Sequence, residues 1–340
     1  MTFIEKHTII AAIAIISIHV LNGCQSSNLY QYNHYMKVKN YEAAKETMYK
    51  ETEENPYNPE FHLLLGEAHL KLREYKEARA SFNNSRYTSS EYIDRIQKLM
   101  ASHYQQEFNG GVRAIRNEKY DLALSYFYKA LEIEPNRHEV YPVLGFSYFK
   151  LQQYENAYES YLQATQLEEN DAPSFHALAE LSFRKGGYAQ AVDYARRATN
   201  IDNGIFPAFE ILVYANIELE EYSQAEQAYH SIPESERSFT LTRNYTFELF
   251  NQGRYDSLRP HLEKIVEQHP DDGRLLRTLA ETYRNLGNFE GMAETYEVLW
   301  ENNPENQDLL TNLIAAYDMM GNQEKADKYK QYIHDDNDDG

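Results

Sequence analysis

A bulky ring followed three residues later by a small side chain recurs along this chain at a nearly fixed interval. It reads YEAA from Tyr41, YKEA from Tyr75, YDLA from Tyr120, YENA from Tyr154, YAQA from Tyr188 and YSQA from Tyr222. Looser copies follow as YDSL from Tyr255 and FEGM from Phe289, and QEKA from Gln323 keeps only the alanine. The intervals are 34, 45, 34, 34, 34, 33, 34 and 34 residues. A period of this size marks stacked supersecondary units: one helical pair cannot bury its own apolar face, so its neighbours must cover it. Small residues let two helices approach closely, and a ring from the next column fills the space beside them. Prolines at 56, 135, 270 and 304 fall near the ends of units, where a helix cannot continue.

The pattern resembles the tetratricopeptide repeat, a 34-residue helix–turn–helix unit. Leu65-Gly66 and Leu144-Gly145 match the middle of that family's first helix, and Ala130, Ala164 and Ala198 match a late position in its second. The resemblance covers nearly all of the chain from Leu29 onward. It implies an all-α fold, a right-handed α-solenoid of about nine units: repeats 1–2 over residues 29–92, a helical insertion at 93–103, and repeats 3–9 over 104–333, with an acidic tail at 334–340. Three places depart from the rhythm. The 45-residue interval holds 11 extra residues, about three helical turns. Thr88 and Glu91 are spaced there as a capping box for one long helix, interrupted at most at Gly110-Gly111. That helix either splays the flanking repeats, projects as a contact surface, or is a tolerated lengthening. Pro233 ends the sixth unit early, and Pro260 is expected to bend the second helix of the seventh or shift its start. The tail HDDNDDG lacks the terminal Glu of a calcium loop and reads as solvated.

The start of the chain carries a different signal. Residues 8–20, TIIAAIAIISIHV, are apolar but too short for a comfortable membrane span. They fit the apolar core of an export signal. The following LNGC resembles the lipobox of bacterial lipoproteins, with Leu21, Gly23 and the acceptor Cys24, the only cysteine present. Asn22 and Glu5 depart from the usual pattern. The resemblance implies removal of residues 1–23, acylation of Cys24, and attachment to a membrane through lipid, in stable form because several acyl chains act together. Gln25 after the acceptor implies the outer membrane, facing the periplasm, in a Gram-negative host. Residues 24–28 form a short linker. From 24 to 50 the charge is +2 and from 51 to 340 it is −22, a basic foot beneath an acidic body.

With 33 Lys and Arg against 53 Asp and Glu, the net charge is −20. Such a surface repels phosphate backbones, so no nucleic-acid partner is expected. No HExxH, P-loop, GxSxG or cysteine–histidine ligand spacing occurs. No cofactor, metal or catalytic activity is expected, and His62 and His69 read as packed core residues. Function then falls to the surface. The resemblance implies that the first helices line a concave groove through the second, fifth, ninth, twelfth and thirteenth residue of each unit. Its residues are Val112, Ile115 and Arg116; Phe146, Phe149 and Lys150; Phe183 and Arg184; Tyr214 and Ile217; and Phe247 and Phe250. Four apolar side chains in the ninth column are the informative part, because the twelfth is often aromatic in the family. Repeat 8 changes to charge, with Arg274, Arg277, Glu281 and Arg284. The implied partners are protein or peptide segments. A homo-oligomer and an accessory subunit acting on an enzyme in trans are the alternatives.

Overall fold

The structure, a computed structural model, describes residues 27–333. The segment expected to be an export signal, Cys24 and the acidic tail lie outside the described residues. Within them the chain is all-helical, with no strand. First helices are α1 (residues 27–37), α3 (Pro59–Leu72), α5 (Ile93–Arg116), α7 (Val140–Lys150), α9 (Ala172–Arg184), α11 (Phe206–Glu218), α13 (Phe239–Asn251), α15 (Gly273–Asn285) and α17 (Gln307–Met319). Second helices are α2 (Tyr41–Glu54), α4 (Tyr75–Thr88), α6 (Tyr120–Ile133), α8 (Tyr154–Leu167), α10 (Tyr188–Ile201), α12 (Tyr222–Ser231), α14 (Tyr255–Gln268), α16 (Phe289–Asn302) and α18 (Gln323–Lys330). Every second helix begins at the residue that opens one copy of the motif. The chain forms two compact units, one ending at Leu178 and the other beginning at Ala179.

The motif dictates the hairpin because its small residue sits where the two helices touch. Ala78, Ala123, Ala157, Ala191 and Ala225 are all buried to within 1% of complete. The other half of the contact is a ring of the second helix against a glycine of the first. A Cβ added to Gly66 would lie 2.4 Å from the Phe82 ring, to Gly111 2.4 Å from Phe127, and to Gly145 2.8 Å from Tyr161. Glycine and ring stand at the same sequence separation in all three pairs, so the same contact is built each time. Alanine would overpack it.

A second regularity closes the corners. Two residues before each second helix, the backbone turns left-handed: Lys39, Arg73, Glu118 and Gln152, then Gly186, Glu220, Gly253, Gly287 and Gly321. That conformation ends a helix sharply. The first unit makes all four of its corners with L-residues, at a local steric cost, whereas the second uses glycine at four of five.

The long interval resolves as one helix. The 24 residues of α5 run unbroken through Gly110 and Gly111. The capping box does not form. Thr88 is the last residue of α4, its hydroxyl donates to the Asn84 and Ser85 carbonyls, and Tyr92 occupies the cap position of α5. Nor does the extension project. Ile96 and Met100 are buried in one core with Leu63, Leu70 and Phe82 of the preceding hairpin.

Register explains how. Between successive first helices in the second unit, Phe183 meets Tyr214 and Phe247 meets Arg274, each a little less than one repeat further along the chain. In the first unit Glu67 meets Arg95 at a similar separation, with N and O 2.6 Å apart. The front of α5 therefore takes the ordinary place beside α3, while its rear, from Tyr104 to Arg116, pairs with α6 through Gly111 and Phe127. The extra length displaces the third hairpin by about 16 Å along α5 relative to the second. The displacement brings two second helices together, and α6 packs on α4.

The two prolines differ. After Ser231 the chain leaves α12, and Pro233 opens a 3-10 turn at Glu234–Glu236. Pro260 lies inside α14, whose start at Tyr255 is not shifted. It falls in the helix interior, where an amide would otherwise bond the Asp256 carbonyl.

Candidate functional site

In the first unit the predicted residues sit on the rear of α5 and on α7. Val112 and Ile115 are half-buried and Arg116 is exposed. Phe146 is the most open ring of the set, at 37% exposure. Its edge meets Tyr120 of α6 at 6.3 Å between centroids, and Nζ of the exposed Lys150 stands 5.3 Å over its face. Phe149 is half-buried and packs edge-on against Tyr154 at 5.7 Å. The twelfth-column ring thus braces the first tyrosine of the following helix, while the ninth-column ring stays accessible.

The same columns in α3 are closed. Leu70 is buried, and the Glu67 carboxylate forms an ion pair with Arg95 of the α5 extension. Burial pushes the Glu67 carboxyl up, opposed by Arg95. Burial also raises the Tyr32 hydroxyl, which donates to the Leu64 carbonyl at 3.1 Å. The accessible strip of the first unit therefore begins at hairpin 3.

His62 and His69 are buried: His62 Nε2 pairs with the Pro56 carbonyl at 2.8 Å and His69 Nδ1 with Glu74 at 2.6 Å. Among the described residues no group of three His, Cys, Asp or Glu side chains is placed to hold a metal. Nor is any described helix long and apolar enough to cross a membrane.

Repeated hairpins with ring-on-glycine contacts and a fixed period are matched by family models. Residues 33–88 and 138–171 match the tetratricopeptide repeat, and residues 212–334 match the N-terminal TPR repeats region of Psidin. The chain carries tetratricopeptide repeats. The TPR fold is typically a non-catalytic scaffold for protein–protein contact. Similar solved structures include a TPR protein from Parabacteroides merdae, at 16% identity over 68% of this chain and 94% of that one, with a TM-score of 0.46. Another is YrrB, described as a TPR protein with an unusual peptide-binding site, at 19% identity over 54% and 96%, TM-score 0.47. A third is the first TPR of Spaghetti bound to an HSP90 peptide, at 16% identity over 37% and 93%, TM-score 0.31. Among curated proteins nothing matches.

In the second unit the TPR columns are more heavily engaged. Phe183 is half-buried against Tyr188 and Tyr214, at 5.4 and 6.4 Å. Arg184 reaches back to Glu180 at 2.7 Å. Tyr214 and Ile217 are half-buried, and burial raises the Tyr214 hydroxyl. Phe247 lies beneath the Arg274 guanidinium at 4.3 Å, and Phe250 packs edge-on against Tyr255 at 5.7 Å. In repeat 8 Arg274, Arg277 and Arg284 are exposed, while the half-buried Glu281 pairs with Arg284 and accepts from Tyr296 at 2.8 Å.

Sequence reasoning missed one polar node. Glu107 of α5 is fully buried. Its carboxylate accepts from Arg73 Nε at 3.0 Å and Nη2 at 2.5 Å, and from the Tyr75 hydroxyl. The carboxylate holds Arg73 firmly protonated, and burial pushes Tyr75 up to about 12. Arg73 is also the left-handed corner residue, so one side chain ties the corner of hairpin 2 to the long helix. A glutamate on the Ile96–Met100–Tyr104 face was the available signal.

Proposed function

We propose that this protein is a lipid-anchored TPR adaptor of the bacterial envelope, held by acylated Cys24 and binding protein segments on the inner faces of its first helices. The reading for the first unit is carried by Phe146: a ring open to solvent, flanked by a cation, in the column that the TPR scaffold leaves free. A partner segment places an apolar side chain against Phe146 and Val112, and a carboxylate or carbonyl against Lys150 or Arg116. The desolvated ring supplies the affinity and the rim charges set orientation. Phe149, Phe183 and Phe250 contribute by holding the tyrosines beneath them, not by direct contact. In the second unit the corresponding surface is Tyr214 and the Phe247–Arg274 pair.

Anchoring is supported by the single cysteine at the end of an apolar segment followed at once by helical repeats. The envelope role rests on that motif. The test is crosslinking of the intact protein in its host with mass spectrometry, beside Phe146→Glu and Phe247→Glu. The groove reading expects the main crosslinked partner to disappear in Phe146→Glu while fold is retained, and an unchanged partner in both variants removes it. Cys24→Ala is expected to move the protein from membrane to soluble fractions, and its retention in the membrane would end the anchor reading.

A further inference from the structure

Two irregularities of the second unit, Pro233 and the short interval, meet at one cavity. Seven second helices are 14 residues long, and three of them, α6, α8 and α10, end on Ile133, Leu167 and Ile201. The sixth hairpin stops a full turn sooner, and its equivalent position is Ser235 in the 3-10 turn. The lost turn leaves a cavity of about 270 Å³ between the 3-10 segment and helices α12, α13 and α14. That size suits a small group rather than an extended ligand.

The lining is polar and rich in donors. Arg237 is held by its Nε, which donates to the Ile232 carbonyl at 3.0 Å, and by its guanidinium lying 4.4 Å over the Tyr229 ring. Neither restraint is a hydrogen bond from Nη, and Arg237 lines the cavity. Lys264 adds a cation, and Ser235 and Thr242 add hydroxyls. Thr242 accepts from the Tyr229 hydroxyl at 3.4 Å and keeps its own proton to donate. Two carboxylates oppose these donors: Glu236 accepts from the Ser235 hydroxyl at 3.5 Å, and Glu234 pairs with Lys264, but the Glu234 and Lys264 side chains are 61% and 51% exposed. A pair so open to water contributes little and is readily exchanged.

We propose that this cavity is a phosphate-binding site, in which an oxyanion displaces Glu234 and takes charge-assisted hydrogen bonds from Arg237 and Lys264 and neutral ones from Ser235 and Thr242. Donors from three separate elements converge, which suits the several acceptor oxygens of a phosphate group better than a single carbonyl. The phosphate is either free or carried on a phosphorylated side chain, and the chemistry of recognition is the same.

The test is calorimetric titration of the full chain with sodium phosphate at constant ionic strength, and with a short phosphoserine peptide beside its unphosphorylated form. Saturable phosphate binding is expected, weakened about fivefold or more by Lys264→Gln and tightened about threefold by Glu234→Gln, both at exposed positions that spare the fold. A phosphopeptide that binds more tightly than phosphate assigns the group to a partner, and equal affinity assigns it to the free ion. No saturable binding, or the same affinity in wild type and both variants, overturns the proposal.

Discussion

The junction of hairpins 2 and 3 and the junction of hairpins 6 and 7 both break the regular period, in opposite directions and with opposite results. At the first, the added residues lengthen a single helix, and its new surface is consumed: Ile96 and Met100 enter the core and Glu107 finds three donors. At the second, a shortened helix leaves a polar cavity whose charged groups are partly exposed. The comparison teaches that the repeat protects neighbour contacts rather than length. An insertion is tolerated when it keeps the ordinary offset to the helix before, as Glu67 and Arg95 do, and the ordinary offset to the helix after, as Gly111 and Phe127 do. A deletion removes atoms that nothing replaces.

The largest expected effect lies at the first junction. Arg73→Ala leaves the Glu107 carboxylate buried without its cation and is expected to cost about 3–5 kcal/mol. Chemical denaturation of the full chain, followed by limited proteolysis of the first unit, measures it. Arg73→Ala combined with Glu107→Leu should recover much of the loss, and failure to recover would mean that the pair is not the source. Next comes Gly111→Ala, which drives a methyl into Phe127 and should cost about 1–3 kcal/mol by the same measurement. An unchanged midpoint there would show that the close helix approach is not what fixes the register of α5.

Acid separates the junctions less sharply. Burial lowers His103 near the first junction, assisted by Lys71, and lowers His261 at the second, assisted by His230 and Arg237. A histidine whose proton affinity falls on folding leaves the unfolded chain holding more protons in acid. Its stabilisation is present above the ordinary value near 6.5 and is lost as pH falls below it. His261→Gln should therefore flatten the decline in melting temperature between neutral and mildly acidic pH, and an undiminished decline would remove His261 as its cause. Smallest is Lys264→Ala, expected to leave the denaturation midpoint nearly unchanged because its pair with Glu234 is solvated. A cost comparable with that of Arg73→Ala would erase the contrast between the two sites.

Much of this fold was legible in the sequence because each motif marks a steric contact. The nine second-helix starts coincide with the nine motif openings, including Gln323, where only the alanine survives. The corners were not legible in the first unit, since Lys39, Arg73, Glu118 and Gln152 take a left-handed backbone that their identities do not advertise. The direction of the insertion was also hidden. Thr88 and Glu91 have capping-box spacing, but Thr88 bonds within its own helix, and only tertiary contact shows which way α5 packs. For the candidate surface, column position put the twelve residues on first helices, where they lie. What it could not give was their engagement, because Phe149, Phe183 and Phe250 are drawn onto neighbouring tyrosines and Phe247 onto Arg274. Column position alone does not distinguish a brace from a contact.

The long helix α5 has one more consequence. Its front belongs to the core of hairpin 2 and its rear to hairpin 3, so a single unbroken backbone is shared by two neighbours. In a linear array, stability is a sum of unit terms and coupling terms between adjacent units. A shared helix makes that coupling covalent and continuous. Hairpins 2 and 3 should open as one cooperative block, and fraying that begins at the N-terminal end should meet its strongest barrier there.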